Sequence, residues 1–236
     1  MDVAVVEPLI RTEAAADTSV WTVHGQDTLP KLFRQVVAQR GDKVAQREKD
    51  LGIWRPISWR EYGEKAKHVG LGLVALGLRH GDVVSIIADN CPEWLFTDMG
   101  VLSVGGVTNG IYTTDSPSQV EYIVNDSGTR FFFAENEEQL DKILEVRSRC
   151  PELSKIFLFD MEGLHKYRDD QVMAFGALLE LGAAYVGGDC QLRREPRHPA
   201  RQPPRGRAGP VFRGAEGMGE ILLWCRAAHE GSNAAR

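Results

Sequence analysis

The chain has 236 residues, enough for one large or two small domains with a substantial core, and its hydrophobic (43%) and charged (26%) fractions are ordinary for a soluble globular protein. A net charge of -5 argues against general nucleic-acid binding, and no apolar stretch approaches the roughly 18–20 residues that span a bilayer. The four cysteines form no C-x-x-C pair, and no basic, apolar leader opens the chain. We therefore expect free thiols in a reducing, cytoplasmic setting.

The charge divides unevenly along the chain. Residues 1–182 hold 19 Lys and Arg against 28 Asp and Glu, a net of -9, whereas residues 183–236 hold 9 Arg and 5 acids, a net of +4. Such an asymmetry indicates two segments of different origin or with different partners. At the start of the first segment, residues 1–27 are polar and Ala-rich, and we expect them to form a loosely ordered N-terminal arm.

The first predicted elements are a helix, a hairpin and a second helix. Thr28 caps a helix that Gly41 ends. Two short strands joined by residues 49–52 then read as a β-hairpin, and Ser58 begins a helix with a capping box toward Glu61. The glycines of residues 70–77 lie inside that helix rather than between a strand and a helix, so they indicate close helix packing and not a dinucleotide loop.

Strand and helix patterns alternate from residue 77 to residue 160. The strands VVSIIA, GVTNGIY, RFFFA and KIFLF are separated by helices beginning near Pro92, Pro117 and Glu137, and residues 161–182 read as a loop and a short helix. The helix near Pro117 begins with a capping box from Ser116 to Gln119, and Leu95 in the helix near Pro92 is expected to be largely buried. Continuous apolar runs are typical of strands buried on both faces. The predicted fold class is α/β, with an open, doubly wound, mostly parallel sheet and covering helices.

In such a sheet a ligand groove lies at the carboxyl ends of the strands. The polar residues there can form a binding site or serve ordinary capping and turn roles, and both interpretations stay open. They are Asp89, Asn90, Tyr112, Thr113, Thr114, Asp115, Glu135 and Asn136.

The motifs of this region resemble a known family. The sequence G-D-x-V at residues 81–84, N-x-x-E-W at residues 90–94 and IYTTDSPSQVEYI at residues 111–123 resemble the N-terminal region of AMP-forming acyl-CoA synthetases, most of all the long-chain fatty acid branch. The resemblance covers about residues 28–182, which would be a partial AMP-binding domain.

The resemblance implies a two-step ligase that forms an acyl-adenylate from a fatty acid and ATP and then a thioester with coenzyme A, with Mg²⁺ among its cofactors. The family's phosphate loop, of the form Y-T-S-G-T-T-G-x-P-K-G, does not occur in the 236 residues. No catalytic, cofactor-binding or metal-binding residue of the family can therefore be placed on this sequence. We expect the chain alone to be inactive; the alternative is a non-catalytic binding or oligomerisation module.

Residues 183–236 do not match the family, and Arg, Pro and Gly make up 22 of these 54 residues. A nucleic-acid-binding arm, a disordered regulatory tail and a frameshifted reading of a GC-rich gene all fit this composition, and we favour the third because Lys is missing and the change is abrupt. By family, the expected partners are a fatty acid, ATP and coenzyme A, with no nucleic acid and no transmembrane segment. A peripheral membrane contact and a homo-oligomer are compatible with the resemblance.

Overall fold

The computed structural model describes residues 22–164 and 166–187. Most of the predicted N-terminal arm and residues 188–236 of the predicted tail lie outside these ranges. The first elements are α1 (Leu29–Arg40), β1 (Val44–Asp50), β2 (Ile53–Ser58) and α2 (Trp59–Ala75). The Thr28 side chain accepts a hydrogen bond from the Lys31 N–H, which confirms that predicted N-cap. The Ser58 hydroxyl accepts one from the Glu61 N–H at 3.1 Å, which confirms the hydroxyl half of the predicted capping box.

The central sheet contains the strands β3 (Val83–Ile87), β4 (Val107–Ile111), β5 (Thr129–Ala134), β6 (Lys155–Leu158) and β7 (Val172–Ala174). Its order is β4-β3-β5-β6-β7, and every neighbouring pair is parallel. The remaining helices are α3 (Pro92–Ser103), α4 (Pro117–Ser127), α5 (Glu137–Val146) and α6 (Phe175–Gly187), with a short 3₁₀ turn at Arg147–Arg149. The predicted α/β class with a parallel sheet is confirmed.

Successive side chains of the strands point to opposite faces of the sheet and belong to two separate cores. Phe131 and Phe133 pack with α2, α3 and α6, whereas Phe132 between them packs with α4 and α5. All three phenylalanines are fully buried. Burial on both faces is why the strands read as continuous apolar runs, since neither side of the sheet faces water.

Glycines set the spacing of the helices around α2. A Cβ on Gly70 would lie 2.8 Å from the Gly100 carbonyl oxygen, and one on Gly100 would lie 2.7 Å from the Ala66 carbonyl oxygen. On the other side of α2, a Cβ on Gly182 of α6 would lie 1.9 Å from the His68 carbonyl oxygen. The structure therefore confirms close helix packing for Gly70 and for Gly72, where a Cβ would lie 2.6 Å from the Leu178 carbonyl oxygen. Gly77, by contrast, follows the end of α2 with a φ of +91°.

The Gly81-Asp82 turn fixes the entry to the sheet. The Asp82 carboxylate accepts hydrogen bonds from the Arg79 N–H at 2.8 Å and from Arg130 Nη1 at 2.6 Å. Arg130 belongs to β5, which lies beside β3. The acidic residue of the G-D-x-V motif thus joins two neighbouring strands at their amino ends.

Three sequence predictions differ from the structure. The segment 161–182, predicted as a loop and a short helix, also contains the strand β7, whose three residues are too few to show a pattern in the sequence. Leu95, expected to be largely buried, is 41% exposed, because α3 turns Phe96, Met99 and Gly100 inward instead. Helix α6 continues past the Gly182 boundary to Gly187. In the part of the chain that the structure describes, no helix combines the length and apolarity needed to cross a membrane.

Candidate functional site

The strands β3, β4 and β5 are neighbours in the sheet, and the predicted ligand groove lies at their carboxyl ends. Asp89 follows β3 and joins the three loops there. Its carboxylate Oδ1 accepts a hydrogen bond from Thr113 Oγ1 at 3.0 Å, and its backbone N–H donates to Glu135 Oε2 at 2.8 Å. The structure therefore brings together Asp89, Thr113 and Glu135 of the eight predicted residues.

A lysine outside the eight predicted residues completes this cluster. Lys142 Nζ, on α5, donates to the Thr113 carbonyl oxygen at 2.5 Å and lies 3.7 Å from Glu138 Oε1. Its side chain is only 15% exposed. In the sequence, Lys142 looks like an ordinary surface partner of Glu138 four residues earlier on the helix, and only the tertiary structure brings it to the β4–α4 loop.

The remaining predicted residues serve turns and caps or face solvent. The Asn136 side chain caps α5 by accepting from the Gln139 N–H at 3.2 Å, and the Asp115 N–H donates to the Tyr112 carbonyl oxygen at 3.0 Å. Asn90 and Thr114 are exposed, and the Tyr112 side chain is 81% exposed. For this group the capping and turn interpretation explains the residues.

A shallow cavity of about 310 Å³ lies beside the amino end of α4, lined by Asp115, Ser118, Gln119, Tyr122 and Ile123. Its Gln119 side chain is already engaged, because its Oε1 accepts from the Ser116 N–H at 2.8 Å in the predicted capping box. The walls come from one helix and the loop before it. The cavity therefore lacks the converging polar groups from several elements that mark a ligand site.

The groups at the carboxyl ends of the strands offer neither an activated nucleophile nor a cluster of metal ligands among the described residues. Burial raises the pKa of the nearby Cys91 thiol to about 12, so that thiol is protonated and a poor nucleophile at neutral pH. Among residues 22–164 and 166–187, no three His, Cys, Asp or Glu side chains are arranged to hold a metal ion. What the cluster around Asp89 does is hold three loops together.

The sequence matches the family model of AMP-binding enzymes over residues 33–177, from α1 into the first turn of α6. Among curated proteins, the long-chain-fatty-acid–CoA ligase ACSBG1 of Bos taurus is 32% identical over 155 residues, which are 66% of this chain and 21% of the relative. The long-chain-fatty-acid–CoA ligase ACSBG2 of Xenopus laevis is 33% identical over 135 residues, 57% of this chain and 18% of the relative.

Solved structures show the same fold. The anthranilate CoA ligase AuaEII, in complex with anthranoyl-AMP, superposes with a TM-score of 0.55 at 24% identity, over 64% of this chain and 26% of that protein. Coronafacic acid ligase from Pectobacterium brasiliense gives a TM-score of 0.58 at 17% identity, over 64% of this chain and 29% of that protein.

The chain spans about a fifth of the length of the curated relatives it matches. The family model nevertheless covers more than half of this chain and includes the sheet through β7. The G-D-x-V and N-x-x-E-W motifs and the segment at residues 111–123 all lie within the matched residues. The chain therefore belongs to the AMP-binding family of adenylate-forming acyl-CoA ligases.

Proposed function

We propose that this chain is a segment of a long-chain fatty acid–CoA ligase and that it does not catalyse acyl activation by itself. The whole enzyme would join a fatty acid to ATP, releasing pyrophosphate, and then pass the acyl group to the thiol of coenzyme A. The curated relatives named above, all long-chain-fatty-acid–CoA ligases, support this substrate class. Fatty acid, ATP and coenzyme A would be its partners, Mg²⁺ would accompany ATP, and the cytoplasm would be its location.

The proposed inactivity rests on one observation: the polar groups at the carboxyl ends of the strands are hydrogen-bonded to one another. Stabilising a triphosphate and its developing charge requires backbone N–H donors, hydroxyls and a cation that converge on the ligand. Here the Lys142 ammonium donates to the Thr113 carbonyl oxygen, and the Thr113 hydroxyl donates to Asp89. These groups hold the loops, and the sequence contains no Gly/Ser/Thr-rich phosphate loop to take over the task.

An ATP–pyrophosphate exchange assay with palmitate tests the proposal. The purified chain is expected to give exchange at the level of a blank without protein, whereas an intact long-chain ligase run in parallel gives palmitate-dependent exchange. Palmitate-dependent exchange by the chain that is clearly above the blank, and that is lost when palmitate is omitted, would show that the proposed inactivity is wrong.

A second candidate function is a non-catalytic oligomerisation module. It is favoured by the outer edge of β4, with which no other strand of residues 22–164 and 166–187 pairs, and where Val107 is 48% exposed and the adjoining Tyr112 is 81% exposed. The strand VTNGI contains no charge or proline that would discourage pairing with another strand. Sedimentation velocity over a range of concentrations tests it: a dimer that is lost in Thr108→Pro supports this function, and a monomer at every concentration excludes it.

A further inference from the structure

The hairpin β1–β2 forms its own two-stranded antiparallel sheet, separate from the central sheet. Its register pairs Lys49 with Trp54 and Arg47 with Pro56. Side chains of directly paired residues point to the same face, and faces alternate along each strand. Arg47, Lys49, Trp54 and Pro56 therefore share one face, and all four are exposed. We call these four residues the outer face of the hairpin.

Only the base of the opposite face packs against the body of the protein. Ile57, near the end of β2, is only 8% exposed and belongs to the core that includes α2. Farther along this face Glu48, Ile53 and Arg55 are exposed, and Arg55 Nη2 lies 2.6 Å from Asp50 Oδ2. The outer face, by contrast, carries two cations and no acid. The Lys49 ammonium lies 5.9 Å from the centre of the Trp54 ring.

The tip of the hairpin exposes large apolar side chains. Leu51 is 95% exposed, Ile53 is 69% exposed, and Trp54 beside them is 61% exposed. Leu51 also has a φ of +47°, a conformation that favours Gly, Asn or Asp in a hairpin turn. A leucine at this position improves neither the turn nor a core. An apolar residue kept in an unfavourable conformation at a fully exposed tip points to a contact outside the chain.

The charge of the hairpin selects the kind of partner. The hairpin, residues 44–58, contains three basic side chains (Arg47, Lys49, Arg55) and two acidic ones (Glu48, Asp50), a net of +1 in a chain of net charge -5, and its outer face alone carries +2. Lys and Arg beside Trp and aliphatic side chains form the combination that enters the headgroup region of a membrane, where cations meet lipid phosphates and apolar groups reach the acyl boundary.

We propose that the hairpin β1–β2 binds the surface of an anionic membrane. Leu51 at the tip and Trp54 on the outer face enter the headgroup region, and Arg47 and Lys49 contact lipid phosphates. In this proposal the hairpin lies in the headgroup region and does not cross the bilayer. The proposal stands on the hairpin alone and does not depend on the chain being active or inactive as a ligase.

Co-flotation of the full chain with vesicles tests the proposal. We expect the chain to float with vesicles of phosphatidylcholine and phosphatidylserine, and to float far less with vesicles of phosphatidylcholine alone. Raising the salt concentration should weaken the association, because it screens exposed charges. Equal flotation with both vesicle types, or none with either, would overturn the proposal.

Variants assign the binding to the hairpin. Arg47→Gln combined with Lys49→Gln should lower the partition coefficient about 25-fold, since each cation near an anionic surface is worth about fivefold. Trp54→Ala should lower it about tenfold. The matched controls are Lys166→Gln and Tyr122→Ala, which remove an exposed cation and an exposed aromatic ring elsewhere on the molecule and should leave the partition coefficient unchanged.

A variant that does not endanger folding separates lipid binding from damage to the protein. Leu51→Asn removes the apolar tip while suiting the positive φ of the turn, so the chain stays folded. The proposal requires weaker flotation of this variant with an unchanged circular dichroism spectrum. If Leu51→Asn instead abolishes self-association in sedimentation velocity and leaves flotation intact, the tip is a protein contact and the proposal is wrong.

Discussion

Glycine residues decide how closely the helices on one face of the sheet approach each other. Gly70 and Gly100 meet between α2 and α3, and Gly182 meets the backbone of His68 between α2 and α6. At these positions the absence of a Cβ matters more than conformational freedom, because backbone atoms occupy the space that a side chain would need. Sequence inspection could identify the glycines in α2, but not the atoms that they face.

Gly182→Ala should destabilise the fold. Its Cβ would lie 1.9 Å from the His68 carbonyl oxygen, so α6 must move away from α2, and we expect the free energy of unfolding to fall by about 1–3 kcal/mol or more. Urea denaturation followed by circular dichroism measures this change. Gly176→Ala in the same helix is the control, since its Cβ meets nothing within 4 Å and should leave stability equal or slightly higher. Similar losses in both variants would contradict the packing argument.

His68 should give the fold a dependence on pH. Burial lowers the pKa of His68 below its ordinary value of 6.5, although the Glu64 carboxylate 3.7 Å away acts in the opposite direction. The unfolded chain therefore takes up a proton first as the pH falls, so the stability that neutral His68 contributes is present above about pH 6.5 and is lost below it.

The measurement compares the wild-type chain with His68→Gln by urea denaturation between about pH 7.5 and about pH 5. The free energy of unfolding of the wild type should decline more steeply toward acid than that of the variant. Comparing the two chains at each pH cancels the titration of carboxyl groups common to both. Parallel profiles would show that His68 does not contribute to the pH dependence.

Local chemistry determines where most of the elements begin and end. The Ser116 hydroxyl and the Gln119 side chain form the predicted reciprocal cap of α4, and Gly128 ends that helix in the left-handed conformation. These signals involve residues a few positions apart, so they can be predicted from sequence. The strand β7 could not be predicted in this way, because it is held by its pairing with β6 and not by a pattern of its own.

The turn of the hairpin offers a test at this scale. Leu51→Asn should raise the free energy of unfolding by about 1 kcal/mol, because asparagine tolerates the φ of +47° better than leucine does. The same substitution at Leu95, which is also exposed but lies in helix α3, should lower it by about 0.5 kcal/mol through the poorer helix propensity of asparagine. Thermal or urea unfolding of both variants measures the difference, and a change of the same sign in both would contradict the role of the turn.

At the scale of the whole molecule, the sheet separates into a protected centre and exposed margins. The interior strands β3, β5 and β6 are buried on both faces, whereas β4 is an edge strand. The hairpin β1–β2 stands outside this sheet altogether. Both surfaces proposed to meet partners, the β4 edge and the hairpin, are therefore at the margins.

Amide hydrogen exchange should reproduce this division. The amides of Phe132 and Phe133 in β5 are expected to exchange at least about tenfold more slowly than those of β1 and β2, because the hairpin can open without disturbing either core. Mass spectrometry of peptides from the exchanged chain, or amide NMR, gives the rates. Equal protection of the hairpin and the central strands would show that the whole chain opens as one unit.

The sequence alone determined the fold class, the caps, the hairpin and the family, because each depends on residue types at short, regular spacing. Only the tertiary structure decided which distant groups meet. It brought Lys142 to the Thr113 carbonyl oxygen, placed Asp89 between Thr113 and Glu135, and left Trp54 exposed while Ile57 is buried. These outcomes depend on strand order and helix packing, which join residues tens of positions apart and leave no local periodicity to read.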